Sequence, residues 1–201
     1  MGVYKLSTAG GLATPRTNYS SFLAGNPAIE FSDYESISTV TVGSGGSASF
    51  DFTSIPATYT HLQLRGILRS NLAGSGITQT TFRFNSDTGS NYAYHNLIGN
   101  GSSSSAGAAS STTSIVLTNA PQLSATANAF GFTIMDILDY ANTNKYKTIR
   151  ALHGADLNGS GQIILSSGLW QSASAITSIT VNPGGDAVQY TQFALYGIKG
   201  A

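Results

Sequence analysis

The chain has no cysteine among its 201 residues, so neither a disulfide framework nor a thiolate metal site is open to it. Charge is nearly as scarce: 9% of residues are charged, against roughly a quarter in an average soluble domain. Nine basic and nine acidic side chains cancel, and the basic ones are scattered, which leaves no electrostatic footprint for nucleic acid. Glutamate is reduced to Glu30 and Glu35, a poor supply for the paired carboxylates of glycan hydrolysis. The three histidines, His61, His95 and His153, lie far apart in sequence and form no H-E-x-x-H motif. No G-x-S-x-G elbow marks a serine nucleophile, and no glycine run fits a phosphate-binding loop. Long apolar runs are missing too, so no membrane insertion and no cleaved signal segment are expected, with release by a route such as lysis. Gly2 lacks the Ser or Thr at position 6 that myristoylation requires. These absences name no catalytic residue, no metal site and no cofactor, and the protein is expected not to be an enzyme.

What is present is a surface of Ser, Thr, Asn, Gln and Gly, weakly self-repelling and suited to close contact with its own copies. Residues 1–34 lack a sustained alternation but carry Val3, Tyr4, Leu6, Leu12, Tyr19, Phe22 and Leu23, and read as an arm that docks on something. Within the arm, TNYSSFLAGNP predicts one or two helical turns: Thr17 or Asn18 caps, Gly25 takes the left-handed end position and Pro27 stops continuation.

From residue 35 to 201 the pattern is β. In THLQLRGILR, Leu62, Leu64 and Leu68 point one way and His61, Gln63, Arg65 and Arg69 the other. TQTTFRF turns Phe82 and Phe84 inward. AFGFTIMDIL is apolar on both faces and predicts a central strand covered on both sides. KYKTIRALH places Lys145 and Lys147 on the outward face. About ten strands with turn signals between them predict an antiparallel β-sandwich of jelly-roll type. The small-residue segments 71–77 and 99–114 read as surface loops, the second long enough to be mobile or to be ordered only by a partner.

Candidate chemistry is sparse. NSDTGSN predicts a hairpin turn in which Gly89 supplies the positive φ, joining the Phe82/Phe84 strand to one carrying Tyr92 and Tyr94. Asp87, Gly89 and Asn91, and likewise Asp156, Asn158 and Ser160, resemble loops of oxygen ligands, but neither has the closing glutamate of a calcium loop. Asp136 lies between Ile134 and Leu138 and calls for a partner among Arg65, Arg83 and Arg150. Tyr92, Tyr94 and Trp170 are candidates for stacking on a sugar.

The segments DFTSIPATYTHLQLRG, RFNSDTGSNYAYHNLIGNGSSS, DILDYANTNKYKTIRAL and AITSITV…QYTQFALYGIKG, with GVYKLSTAGG…AGNPA ahead of them, resemble a family of uncharacterised bacteriophage structural proteins, many from marine and cyanobacterial phages. The resemblance covers nearly the whole chain. It implies a virion location, as a capsid-decoration or tail-fibre-like module held by its arm. The implied partners are other virion proteins and copies of itself, with a trimer favoured. A carbohydrate-binding module that recognises host surface glycan is the alternative. The family offers no catalytic motif to carry over.

Overall fold

The computed structural model describes residues 33–200; the helical turn expected at TNYSSFLAGNP, and the expected arm up to residue 32, lie outside them. Twelve strands follow in chain order: β1 (Tyr34–Thr41), β2 (Phe50–Phe52), β3 (His61–Leu68), β4 (Ile77–Phe84), β5 (Tyr92–Gly99), β6 (Ser104–Thr112), β7 (Ile115–Pro121), β8 (Gly131–Leu138), β9 (Lys147–Asp156), β10 (Gly161–Trp170), β11 (Ile179–Asn182) and β12 (Gln192–Ile198). All pairings are antiparallel. They form an eight-stranded sheet ordered β1-β12-β3-β8-β9-β10-β5-β6 and a four-stranded sheet ordered β2-β11-β4-β7.

The order contains a jelly roll. The pairs β1/β12, β2/β11, β3/β8 and β4/β7 are nested, as if one long hairpin had been wound around a barrel axis. Its two sheets are β1-β12-β3-β8 and β2-β11-β4-β7. The hairpin β5-β6 is inserted between β4 and β7, while β9 and β10 fall between β8 and β11. These four strands extend the β8 edge, so one sheet is twice as wide as the other.

Alternation explains why the sheets face each other. Leu62, Leu64 and Leu68 of β3, Phe82 and Phe84 of β4, and Met135 and Ile137 of β8 are all fully buried. Phe193 of β12 packs between Phe50 and Phe82 at ring-centroid distances of 5.3 and 6.4 Å. Its cross-strand partner is Gly66, whose missing side chain leaves room for the ring.

Four expectations fail locally. The 99–114 segment is not a mobile loop: only a short turn at Asn100–Ser103 separates β5 from the edge strand β6. Backbone pairing to β5 defines β6, and nearly all its side chains are exposed, so no apolar alternation could reveal it. NSDTGSN is a crossing between sheets rather than a hairpin, because β4 and β5 belong to different sheets. Its left-handed residues are Asn85 and Ser86, not Gly89. Arg69 and Lys147, both expected outside, are inside. The Arg69 guanidinium donates to the carbonyl oxygens of Leu123, Ala125, Thr126 and Ala129, closing the loop after β7 around itself. The Lys147 ammonium donates to the carbonyls of Asn142, Lys145 and Ala173. Each buried cation thereby exchanges water for backbone dipoles.

Candidate interaction surface

The residues singled out for sugar contact are mostly core residues. Tyr92 and Tyr94 do share a face, but it is the inner one: Tyr92 is fully buried and Tyr94 half-buried. Trp170 is also buried, stacked on Tyr92 with centroids 6.3 Å apart. Burial pushes the Tyr92 phenol up to about 12, so it stays protonated in the core beside the Phe84 backbone. Neither Tyr92 nor Trp170 therefore offers a free ring to a ligand.

The two oxygen-rich loops are committed to their own turns. Asp87 accepts hydrogen bonds from Trp170 Nε1 (2.7 Å), Gly89 N (2.8 Å) and Asn91 Nδ2 (3.0 Å). The Trp170 bond, followed by those from Asn91 and Gly89, holds its carboxyl below the ordinary range. A carboxylate turned toward N–H donors anchors the indole rather than presenting oxygens to a cation. Asp156 Oδ1 accepts from Asn158 N within the tight β9–β10 hairpin, where Asn158 and Gly159 both have positive φ. No group of three or more acidic, histidine or cysteine side chains is placed to hold a metal ion among the described residues.

His153 is completely buried and hydrogen-bonded. Its Nε2 lies 2.7 Å from Ser166 Oγ, which lies 2.8 Å from Asn96 Oδ1. Serine and histidine in this order resemble a nucleophile and its base, but Ser166 is 4% exposed and His153 0%. The trio links β9, β10 and β5 as a polar strut inside the widened sheet. Desolvation pulls the imidazole down to about 4, which keeps it neutral at physiological pH.

What remains open is the outer face of the eight-stranded sheet. Here the expectation for AFGFTIMDIL is corrected: β8 is central, but its Phe132/Ile134/Asp136/Leu138 face is only partly shielded. Strand register aligns Leu97, Leu165, Leu152 and Ile134 in one row across β5, β10, β9 and β8. The adjacent row runs Ile163–Gly154–Phe132–Ile67 across β10, β9, β8 and β3. Leu97 and Leu165 are 57% and 56% exposed, Ile163 54% and Ile67 47%, values far outside the range of core residues. The neighbouring row on the other side is polar, with His95, Ser167, Arg150, Asp136 and Gln63. Asp136 takes Arg150 as its ion partner at 2.8 Å and a hydrogen bond from Gln63 at 2.7 Å. Beyond it Tyr34 and Tyr196 stack at 4.9 Å, with the Arg65 guanidinium over both rings.

The glycines in the apolar row shape it. Gly99, paired with Ile163, borders a depression of about 450 Å³, lined also by Phe132 and the β9–β10 turn. A second depression of about 480 Å³ lies on the far side of Leu97 and Leu165, toward His95 and Arg150. The band is therefore a ridge between two hollows, bordered by one polar row. Sequence reasoning misses it because two-sided apolarity in β8 implies double cover, whereas QIILSSGLW and RALH carry the same signal on an open face.

Comparison with models of known families, with curated proteins and with solved structures returns no match.

Proposed function

We propose that the chain is a non-enzymatic structural subunit of a bacteriophage particle, joined to its neighbours by the outer face of the wide sheet and by the N-terminal arm. The observation that carries the reading is the apolar band. Two adjacent rows, each crossing four strands at about 4.8 Å spacing and each about 7 Å wide, give it roughly 270 Å². Covering that area is worth about 7 kcal/mol before the entropic cost of association. The low charge of the chain supports the reading, since copies can crowd together with little repulsion. So does the jelly-roll topology, an architecture that recurs in capsid and lectin domains. The resemblance of the sequence segments to phage structural proteins points the same way. Placement on the shell or the tail, and a trimeric state, belong to the same proposal.

The test is incorporation. Replacing Tyr19, Phe22 and Leu23 together with serine in the full chain is expected to lower its copy number in purified particles at least tenfold, with unchanged expression. Wild-type incorporation of that variant would refute the anchoring role of the arm.

A further inference from the structure

An open sheet edge accepts further strands, and proteins blunt their edges with charges, prolines, bulges or cover. Three of the four edges of the two sheets are blunted in this way. β1 is interrupted by a bulge between Ser36 and Ser38 and carries Glu35, which binds Lys199 and the Tyr59 hydroxyl. β2 has only three residues and presents Asp51. β7 ends at Pro121, and five of its seven residues are buried. β6 has none of these devices along most of its length. Its register is regular from Ser104 to Ala109, the bulge falling only beyond, and no Asp, Glu, Lys or Arg occurs between Asp87 and Asp136.

The ladder decides which backbone groups β6 leaves open. Gln171 N–H donates to the Asn91 carbonyl, so the odd-numbered residues of β5 bond to β10 and the even-numbered ones to β6. Asn100 N–H donates to the Ser103 carbonyl in the same phase. Ser105, Gly107 and Ala109, opposite Ile98, Asn96 and Tyr94, are therefore turned toward β5. The N–H and C=O groups of Ser104, Ala106 and Ala108 point away from the sheet. We infer that β6 is a homodimerisation edge, which pairs antiparallel with β6 of a second copy about a two-fold axis at Ala106.

Two features select a second copy and this register. An axis at Ala106 sets Ser104 opposite the partner's Ala108 and Ala106 opposite its own equivalent, so all three open residues are satisfied with about six hydrogen bonds. Moving the axis by one residue leaves Ser104 facing the bulge or Ala108 facing the turn at Asn100–Ser103. The same register has a consequence on the outer face. Ala106 lies opposite Leu97, at the end of the row Ile134–Leu152–Leu165–Leu97. A two-fold axis perpendicular to the sheet keeps both outer faces on one side, so the two exposed leucine rows join end to end. A strand from another protein would satisfy the hydrogen bonds without continuing the row. The uncharged edge adds no repulsion between identical copies. The contact goes beyond the structural-subunit reading and uses neither the arm nor the outer face, so a three-fold contact would employ other surfaces. It concerns the free protein, and its failure would leave the chain's place in a particle untouched.

Ala106→Pro removes an outward N–H and sets a ring in the partner's path, while costing no bond to β5. Light scattering on the purified full chain should find A106P at half the wild-type mass, with an unchanged far-UV circular dichroism spectrum. Single thiols in this cysteine-free chain test the register independently of the proline. A106C places two thiols on facing residues with Cα atoms about 5.5 Å apart, within disulfide range. In S104C the equivalent residues are roughly 14 Å apart, and in A108C the same. The disulfide-linked dimer should therefore form at least tenfold faster in A106C than in S104C or A108C. A monomeric wild type, as expected if β6 serves a strand of another protein, would overturn the inference. So would an oligomer whose mass A106P leaves unchanged, as expected if copies meet only through the outer face, or equal crosslinking rates in the three cysteine variants.

Discussion

Lowering the pH from 7.5 to 4.5 should cost the fold about 2.5 kcal/mol through His153 alone. The imidazole is fully buried, and desolvation is the largest cause of its displacement, from the ordinary 6.5 down to about 4. The unfolded chain therefore binds a proton at this residue between those two values while the folded chain does not. Stability is full above about pH 6.5, declines through the window and stops declining below about pH 4, for a total near 3.4 kcal/mol. Ser166 and Asn96 cannot reverse the sign: both are uncharged, and Asn96 Oδ1 already competes for the Ser166 hydroxyl proton. The carboxylates held low, those of Glu35, Asp87 and Asp139, act at lower pH, since their contributions vanish only as pH falls through the acidic range where they protonate when folded. Urea unfolding followed by Trp170 fluorescence at half-unit intervals measures the slope, with H153Q as the reference. The wild type should lose about 2.5 kcal/mol more than H153Q across the interval. Parallel curves for the two proteins would show that the imidazole is not desolvated in the folded state and remove the basis for the expected loss.

Other consequences concern the remaining internal devices and the open face. Arg69→Lys keeps the charge but cannot reach four carbonyls in a planar fork, so it should cost about 2 kcal/mol, and Arg69→Ala about 3 kcal/mol or more, by chemical denaturation. Gly66→Ala drives a methyl group into the Phe193 ring and should cost about 2 kcal/mol, a fall of roughly 4–8 °C in Tm by calorimetry. Leu97→Asp and Leu165→Asp should change Tm by less than about 2 °C, because neither side chain is in the core, so that any loss of assembly they cause reports on the surface itself.

Much of the architecture is legible in the sequence because burial imposes alternation. Leu62/Leu64/Leu68 and Phe82/Phe84 are readable as inward rows, and an antiparallel sandwich follows from such strands in sequence. Where burial does not select side chains, the pattern goes silent. β6 is held mostly by main-chain bonds, with Thr112 Oγ1 donating to the Tyr92 carbonyl at its end, so SSAGAASST looks much the same paired or unpaired. Local motifs also mislead when the partner is distant in sequence. NSDTGSN has the composition of a hairpin turn, but Trp170, eighty-three residues on, decides what Asp87 does. Charge alone places Arg69 and Lys147 outside, and only the folded loops show the carbonyls that let them in. The surface band is hidden for the opposite reason: apolar residues imply cover by a second sheet, and nothing in a single strand tells that its outer face stays exposed.

Whether this chain is a subunit of a particle is decided by counting it. Quantitative mass spectrometry of gradient-purified, salt-washed phage particles should find the chain in a fixed copy number per particle, unchanged by washing. Its absence from washed particles, with all of the protein free in the lysate, would show that it is not a structural subunit.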